Sequence, residues 1–390
     1  MFKIQTLNRI SPIGLDHFTR DRYEVASEIL SSDAMVVRSF KMHDMPFDDN
    51  LKAIARAGAG TNNIPIEKCS EQGIVVFNTP GANANAVKEL VVASLFLAAR
   101  DISGGISWVE GIKDEGESVP ALVEKNKSNF AGSEIKGKTL GVVGLGAIGA
   151  MVANNALDLG MKVVGYDPYL SVDAAWELSS SVKKASGLET LLAEVDYLTI
   201  HIPLLDSTKG MFNAEKFKMM RDGIKIINFA RGGLVDDDDM IQALASGRVS
   251  AYVTDFPEAK LLGVKGVVPI PHLGASTAES EENCAVMAVE QIRDYLENGN
   301  IQNSVNFPHC LLPKTAGEKR ITIANRNVPN MIGEISSILA NHNINIYDML
   351  NKSKGDFAYN IIDVDGDISD AVISELESID GVIMVRIIKQ

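Results

Sequence analysis

Residues 139–168 read TLGVVGLGAIGAMVANNALDLGMKVVGYDP. An apolar run leads into Gly144-Leu-Gly146-Ala-Ile-Gly149, a helix-like segment follows, and a second apolar run closes on Asp167. Buried strand, glycine turn, helix, strand and terminal acid, in that order, make a βαβ unit that binds a dinucleotide. The glycines alone say little, and the acid in its place makes the pattern specific. Gly144 permits the tight turn, Gly146 lets the backbone approach a pyrophosphate, and Gly149 allows close packing of helix on strand. The pyrophosphate then rests on the amides that open the helix, at Ala147 and Ile148. Asp167 accepts hydrogen bonds from ribose hydroxyls and repels a 2′-phosphate, so NAD rather than NADP is the expected cofactor.

The segments on either side extend this unit. Upstream, short apolar strands at 34–37, 52–55 and 74–77 alternate with turn-rich segments, the pattern of a parallel sheet. Val87, Leu90, Val91, Leu95 and Ala98 then form one apolar stripe of a helix. Residues 113–133 read as loop or irregular helix. Downstream, strands are expected at 197–202, 225–229, 250–254 and 267–269, and a long helix at 279–297. The tail from Arg320 has the order strand, helix, strand, strand, helix, strand. The chain therefore divides into three folded units, as its 390 residues require.

Composition narrows the function. A net charge of -14 argues against a nucleic-acid binder, which needs a basic face. It does not exclude an anionic substrate, since a few local arginines outweigh a diffuse background. The three cysteines, Cys69, Cys284 and Cys310, are scattered without metal-ligand spacing, so neither disulfide nor metal is expected. The polar N-terminus and the lack of an apolar run of roughly 20 residues point to a soluble, cytoplasmic protein without a membrane partner.

Three later segments carry chemistry: Ile226-Ile-Asn-Phe-Ala-Arg-Gly-Gly-Leu-Val235, Val253-Thr-Asp-Phe-Pro-Glu258 and Pro271-His-Leu-Gly-Ala-Ser-Thr-Ala-Glu279. In an open α/β sheet, ligands bind beyond the carboxyl ends of the strands, where these residues can converge. His201 also ends a strand, but Ile202-Pro203 follows it, and a hydrogen-bonded core or rim histidine fits it better than a catalyst.

With these motifs the chain resembles the D-isomer-specific 2-hydroxyacid dehydrogenase family, and within it the branch that oxidises 3-phospho-D-glycerate. The likeness rests on Val37-Arg-Ser39, Ala55-Arg-Ala-Gly-Ala-Gly-Thr61, Asn78-Thr-Pro80, the glycine fingerprint, Asn228-Phe-Ala-Arg-Gly-Gly233 and Pro271-His-Leu-Gly-Ala-Ser-Thr277. It implies a Rossmann-type nucleotide-binding domain, residues 86–278, inserted in a smaller flavodoxin-like α/β substrate domain, residues 1–85 and 279–310. The tail, residues 319–390, resembles an α+β ACT domain, a ferredoxin-like ligand-sensing module.

The resemblance also implies roles. Arg231 holds the substrate carboxylate in a fork that lysine cannot supply. His272 exchanges the hydroxyl proton. Asp255 contacts the nicotinamide carboxamide, and Ala230, Gly274 and Ala275 line the cofactor site beside His272. A glutamate usually stands five residues beyond the aspartate and pairs with the histidine. Here that count lands on Lys260, and the nearest carboxylate is Glu258. Either a shortened loop presents Glu258 to His272, or His272 works without an acid.

A phosphorylated 2-hydroxy acid needs positive charge. Arg38 with Ser39, Arg56, and the amides of Ala59 and Gly60 are the candidates. In the tail, Asn327, Asn343 and Asn345 are the candidate contacts for an L-serine effector, with a plain dimerisation module as the alternative. Asn330 stands where a glycine is usual. A homodimer or homotetramer is expected. The competing readings are a hydroxypyruvate or glyoxylate reductase of the same family, and a non-catalytic NAD and amino-acid sensor.

Overall fold

The computed structural model describes residues 1–313 and 319–388. The last two residues of the expected tail module therefore lie outside the described residues. The chain divides into one unit made of residues 1–83 with 278–390, and another made of residues 84–277.

In the first unit, β1 (Phe2–Leu7), β2 (Tyr23–Ala26), β3 (Ala34–Val37), β4 (Ala53–Arg56) and β5 (Val75–Phe77) pair in parallel in the order β2-β1-β3-β4-β5. This is the flavodoxin-like order. β3 and β5 are buried along their whole length, because a parallel sheet is covered on both faces. The helix Ala278–Asn298 returns from far along the chain and lays Ala285, Ala288, Val289 and Ile292 on this core.

The second unit holds β6 (Thr139–Val143), β7 (Lys162–Tyr166), β8 (Lys183–Lys184), β9 (Tyr197–Ile200), β10 (Ile224–Asn228), β11 (Val249–Thr254) and β12 (Val267–Pro269). All pair in parallel, in the order β12-β11-β10-β9-β6-β7-β8. The chain runs outward from β6 to β8, then crosses back to place β9 on the other side of β6. The order thus reverses between β6 and β9, the point of such a sheet at whose carboxyl ends ligands bind. The helix Ala84–Ala99 buries Val87, Val91, Leu95 and Ala98 in this unit's core.

After that helix come Ile102–Gly111, a 3-10 turn Lys113–Ser118, Val119–Asn126 and a second 3-10 turn Lys127–Phe130, none of which has a fully buried residue. Irregular helix is what the sequence reading allowed there. Among the described residues, no single helix is long and apolar enough to cross a membrane. The pair Ala84–Ala99 and Ile102–Gly111 is apolar enough together but bends by 69°.

The tail folds as β13 (Lys319–Arg326), β14 (Asn345–Lys354), β15 (Phe357–Asp365) and β16 (Val382–Ile388), an antiparallel sheet in the order β14-β15-β13-β16. Its helices, Met331–Asn341 and Asp370–Glu377, cover one face over Ile321, Ile323 and Ile362. Residues of the opposite face, Ala324, Tyr359 and Ile361, join the core of the first unit beside Tyr295 and Phe307. The period-2 alternation of a strand makes this double use possible. The tail has its own small core and shares a second one.

Candidate active site

The glycine turn has the geometry its residues dictate. Gly144 lies at φ +89°, and a Cβ there would meet the His201 carbonyl oxygen at 2.5 Å. A Cβ on Gly149 would meet the Gly144 carbonyl oxygen at 1.9 Å. Gly146, by contrast, faces open space within 4 Å and caps the helix Ala147–Asp158 without a side-chain bond. A Cβ there would fill the space a pyrophosphate needs, and the opening amides, Ala147 and Ile148 included, carry the positive end of the helix dipole. Asp167, at the end of β7, accepts from the Leu145 amide at 2.9 Å and from the Tyr169 amide at 2.9 Å. It ties the turn to the next strand and remains part-exposed, with lone pairs left for a ribose.

Arg231, Asp255 and His272 come from the carboxyl ends of β10, β11 and β12. The Asn228 side chain shapes the first of these turns. It donates to the Arg231 carbonyl at 3.0 Å and accepts from the Ala230 amide at 3.2 Å, so Arg231 is presented outward. The guanidinium is exposed, and among the described residues it donates to the Ala230 carbonyl, at 2.7 Å. A carboxylate offers it a better acceptor.

Asp255 is 3% exposed, and among the described residues neither carboxylate oxygen has a partner in hydrogen-bonding geometry. Burial pushes its pKa up to about 6, eased by the nearby amides of Asp255 and Gly274 and by the Arg231 charge. Two orphaned acceptors in a buried wall suit the amide donors of a nicotinamide carboxamide. Together with the open space at Gly146, they fit this chain to NAD. Gly274 lies against Asp255 and Val87, and Ala275 beside it is part-exposed.

His272 is exposed at one edge, and its ring packs on Phe256 with centroids 4.6 Å apart and planes at 54°. Burial of its other side and the Arg231 charge both lower its pKa. Arg231 thus bears electrostatically on both Asp255 and His272. Glu258 does not join them. It is exposed, forms no ion pair with His272 among the described residues, and bears instead on Asp237 and Lys260. Pro257 and the 3-10 turn Ala259–Leu261 carry it away from the end of β11, with Lys260 anchored on Asp238 at 3.2 Å. Of the two alternatives left open by the sequence, these contacts favour His272 working without an acid partner. Phe256 was missed by the sequence reading, although its position directly after a strand-end aspartate was visible. His201 bonds Thr199 Oγ1 at 2.9 Å, and burial lowers its pKa to about 4, so it is a neutral rim histidine.

The candidate phosphate residues lie in the other unit. Arg38 follows β3 and Arg56 ends β4, in register with Val37. Arg56 Nε donates to the Arg38 carbonyl at 3.1 Å, and both cations ease the pKa of buried Cys284. The Ser39 amide bonds the Asn8 side chain at 3.0 Å. The amides of Ala59 and Gly60 have no partner among the described residues. Arg38 Nη2 pairs with Glu281 at 2.6 Å, a contact the sequence did not announce.

The tail asparagines do not converge within one chain. Asn327 donates to the Gly355 carbonyl at 3.1 Å, at the hairpin end of β14. Asn345, paired with Asp365, and Asn343, at φ +54°, stand at the other end. Ten strand residues separate these ends, roughly 30 Å. Within one chain, Asn327 therefore stands apart from Asn343 and Asn345.

Comparison with known proteins places the chain in a family. A family profile described as "D-isomer specific 2-hydroxyacid dehydrogenase, NAD binding domain" matches residues 92–274. A D-3-phosphoglycerate dehydrogenase of Archaeoglobus fulgidus is 35% identical over 297 residues, 74% of this chain and 54% of the relative, so the chain spans about half that relative's length. A hydroxypyruvate reductase of Thermotoga maritima is 38% identical over 290 residues, 71% of this chain and 88% of the relative. The crystal structure of NAD+-bound 3-phosphoglycerate dehydrogenase from Entamoeba histolytica matches with a TM-score of 0.59 and 28% identity, over 78% of this chain and 98% of that one.

Proposed function

The chain belongs to the D-isomer-specific 2-hydroxyacid dehydrogenase family, and we propose that it oxidises 3-phospho-D-glycerate to 3-phosphooxypyruvate reversibly, the first step of serine biosynthesis. The observation that carries the reading is that Arg231 bears on both Asp255 and His272 at the carboxyl ends of β10, β11 and β12, in the sheet that also carries the glycine turn. When bound, NAD supplies the hydride acceptor. Arg231 holds the substrate carboxylate through its fork of donors and polarises the neighbouring C2 oxygen. His272 accepts the hydroxyl proton on a ring nitrogen as the C2 hydrogen leaves with its electron pair, and returns that proton in reduction. A lowered histidine pKa favours the neutral ring, the base form that oxidation requires. Arg38 and Arg56, with the amides of Ala59 and Gly60, supply charge and donors for the phosphate.

The test is NADH oxidation with 3-phosphohydroxypyruvate and with unphosphorylated hydroxypyruvate in separate assays. A strong preference for the phosphorylated acid is expected. Preference for hydroxypyruvate would instead support the second reading, a hydroxypyruvate reductase, which the Glu281 carboxylate on Arg38 favours by offsetting its charge. No turnover with either would point to a sensor. Ile106 and Val109, 56% and 44% exposed on a helix without buried residues, support a homo-oligomer. The separation of Asn327 from Asn345 favours an L-serine effector site shared between chains. The same assay with millimolar serine, run on the intact oligomer, tests that part.

A further inference from the structure

We propose that Phe256 is the positioning residue for His272, holding by ring packing an imidazole that this chain leaves without a carboxylate partner. The inference rests on the dehydrogenase reading above and deepens it.

A catalytic imidazole must point one ring nitrogen at the reacting hydroxyl, and a free histidine side chain rotates about two bonds. Something must remove that freedom. No hydrogen bond or ion pair to the His272 ring is found among the described residues, and Glu258 faces Asp237 and Lys260. What the ring does touch is Phe256, at 4.6 Å between centroids and 54° between planes. Tilted ring pairs at this separation are attractive beyond their area burial.

Phe256 is itself fixed. Its amide donates to Thr254 Oγ1 at 3.1 Å, and Thr254 is fully buried at the end of β11. The following Pro257 restricts its backbone further. Its Cβ and ring atoms also lie 3.4 to 3.9 Å from where a Cβ on Gly232 would stand, so the turn behind Arg231 supports it. One aromatic ring thereby sits against both elements that carry the site's cation and its base. The charged group that bears on His272 is Arg231, from the end of β10, which disfavours the imidazolium. Packing replaces a charge partner at this position. The chemical consequence is an imidazole held in place and kept neutral over a wider pH range, with no carboxylate to stabilise the imidazolium.

The experiment follows the His272 ring protons by NMR against pH in the full-length protein, assigned with His272→Gln, alongside kcat/KM for oxidation against pH. Phe256→Ala should raise the His272 pKa by half a unit or more and cut kcat at least tenfold, with KM changed less. Phe256→Tyr, which keeps the ring, should restore both towards wild type, and this rescue separates positioning from a failure to fold. Glu258→Gln should leave the titration and the rate as they are. The proposal is overturned if Phe256→Ala titrates and turns over like wild type, if Phe256→Tyr behaves like Phe256→Ala, or if Glu258→Gln moves the His272 titration. The titration needs no substrate, so it is decided even where the substrate reading fails.

Discussion

Asp255 shows how a buried group ties the site to the stability of the fold. Its folded pKa is raised from 3.8 to about 6. Below about pH 4 the acid is protonated in both folded and unfolded chains, and ionisation costs the fold nothing. As pH rises through about 6, the unfolded chain loses its proton first, and the folded state must ionise a buried group whose desolvation outweighs the help of nearby amides and the Arg231 charge. Stability present at low pH is lost over that window. Asp255→Asn keeps the shape and removes the charge, so the Tm of the variant relative to wild type, without cofactor, should climb from about pH 4 to about pH 7. A difference that stays flat across the window would show that Asp255 does not ionise in a dry wall. The same residue was legible in the sequence as a strand-end acid. Its lack of partners was not, because that depends on which amides the neighbouring strands bring near.

At the scale of the element, the strand–turn–helix separates two jobs that the three glycines share. Gly149 is a packing residue, since any side chain there runs into the Gly144 carbonyl, whereas Gly146 looks out on open space. Gly149→Ala should therefore destabilise the second unit by about 1–3 kcal/mol, the usual range for overpacking. Gly146→Ala should leave Tm within about 1 °C, because its φ of -69° suits any residue, yet weaken NADH binding ~tenfold, about 1.4 kcal/mol. Thermal melts and NADH fluorescence titrations on both variants separate the effects. Equal losses of Tm would mean that Gly146 is also held for packing. The 256–260 segment shows the limit of element-level reading. Glu258 and Lys260 are close in sequence to the site, but Glu258 bears on Asp237 and Lys260 pairs with Asp238 around the 3-10 turn Ala259–Leu261.

Over the whole first unit, the tail is locked by a buried ion pair. Arg320 and Asp363 are 0% and 1% exposed, joined at 2.6 Å and 2.7 Å, and the same guanidinium reaches the carbonyls of Asn298 and Leu312 at 2.9 Å each. It connects the tail sheet to the end of the helix Ala278–Asn298. Arg320→Ala strands a carboxylate in the shared core and should cost about 3–5 kcal/mol, with tail and flanking sheet melting together. Arg320→Met with Asp363→Leu should recover most of the loss, since an apolar pair fills the same space without desolvation. If the tail melted separately while the first sheet kept its Tm, the shared core would be carrying no load between them.

The local pattern of residues was enough for the nucleotide-binding turn, the parallel sheets, the βαββαβ order of the tail and the strand-end placement of Arg231, Asp255 and His272, whose roles are what the family resemblance implies. Each of these depends on contacts close in sequence or on a period of 2 or 3.6, and such patterns are written in the chain itself. The pairing of Glu281 with Arg38, the packing of Phe256 on His272, the turning away of Glu258 and the distance between Asn327 and Asn345 were decided only by the tertiary structure. Each brings together or separates side chains on different elements, and no local period encodes the register and crossover that set those distances.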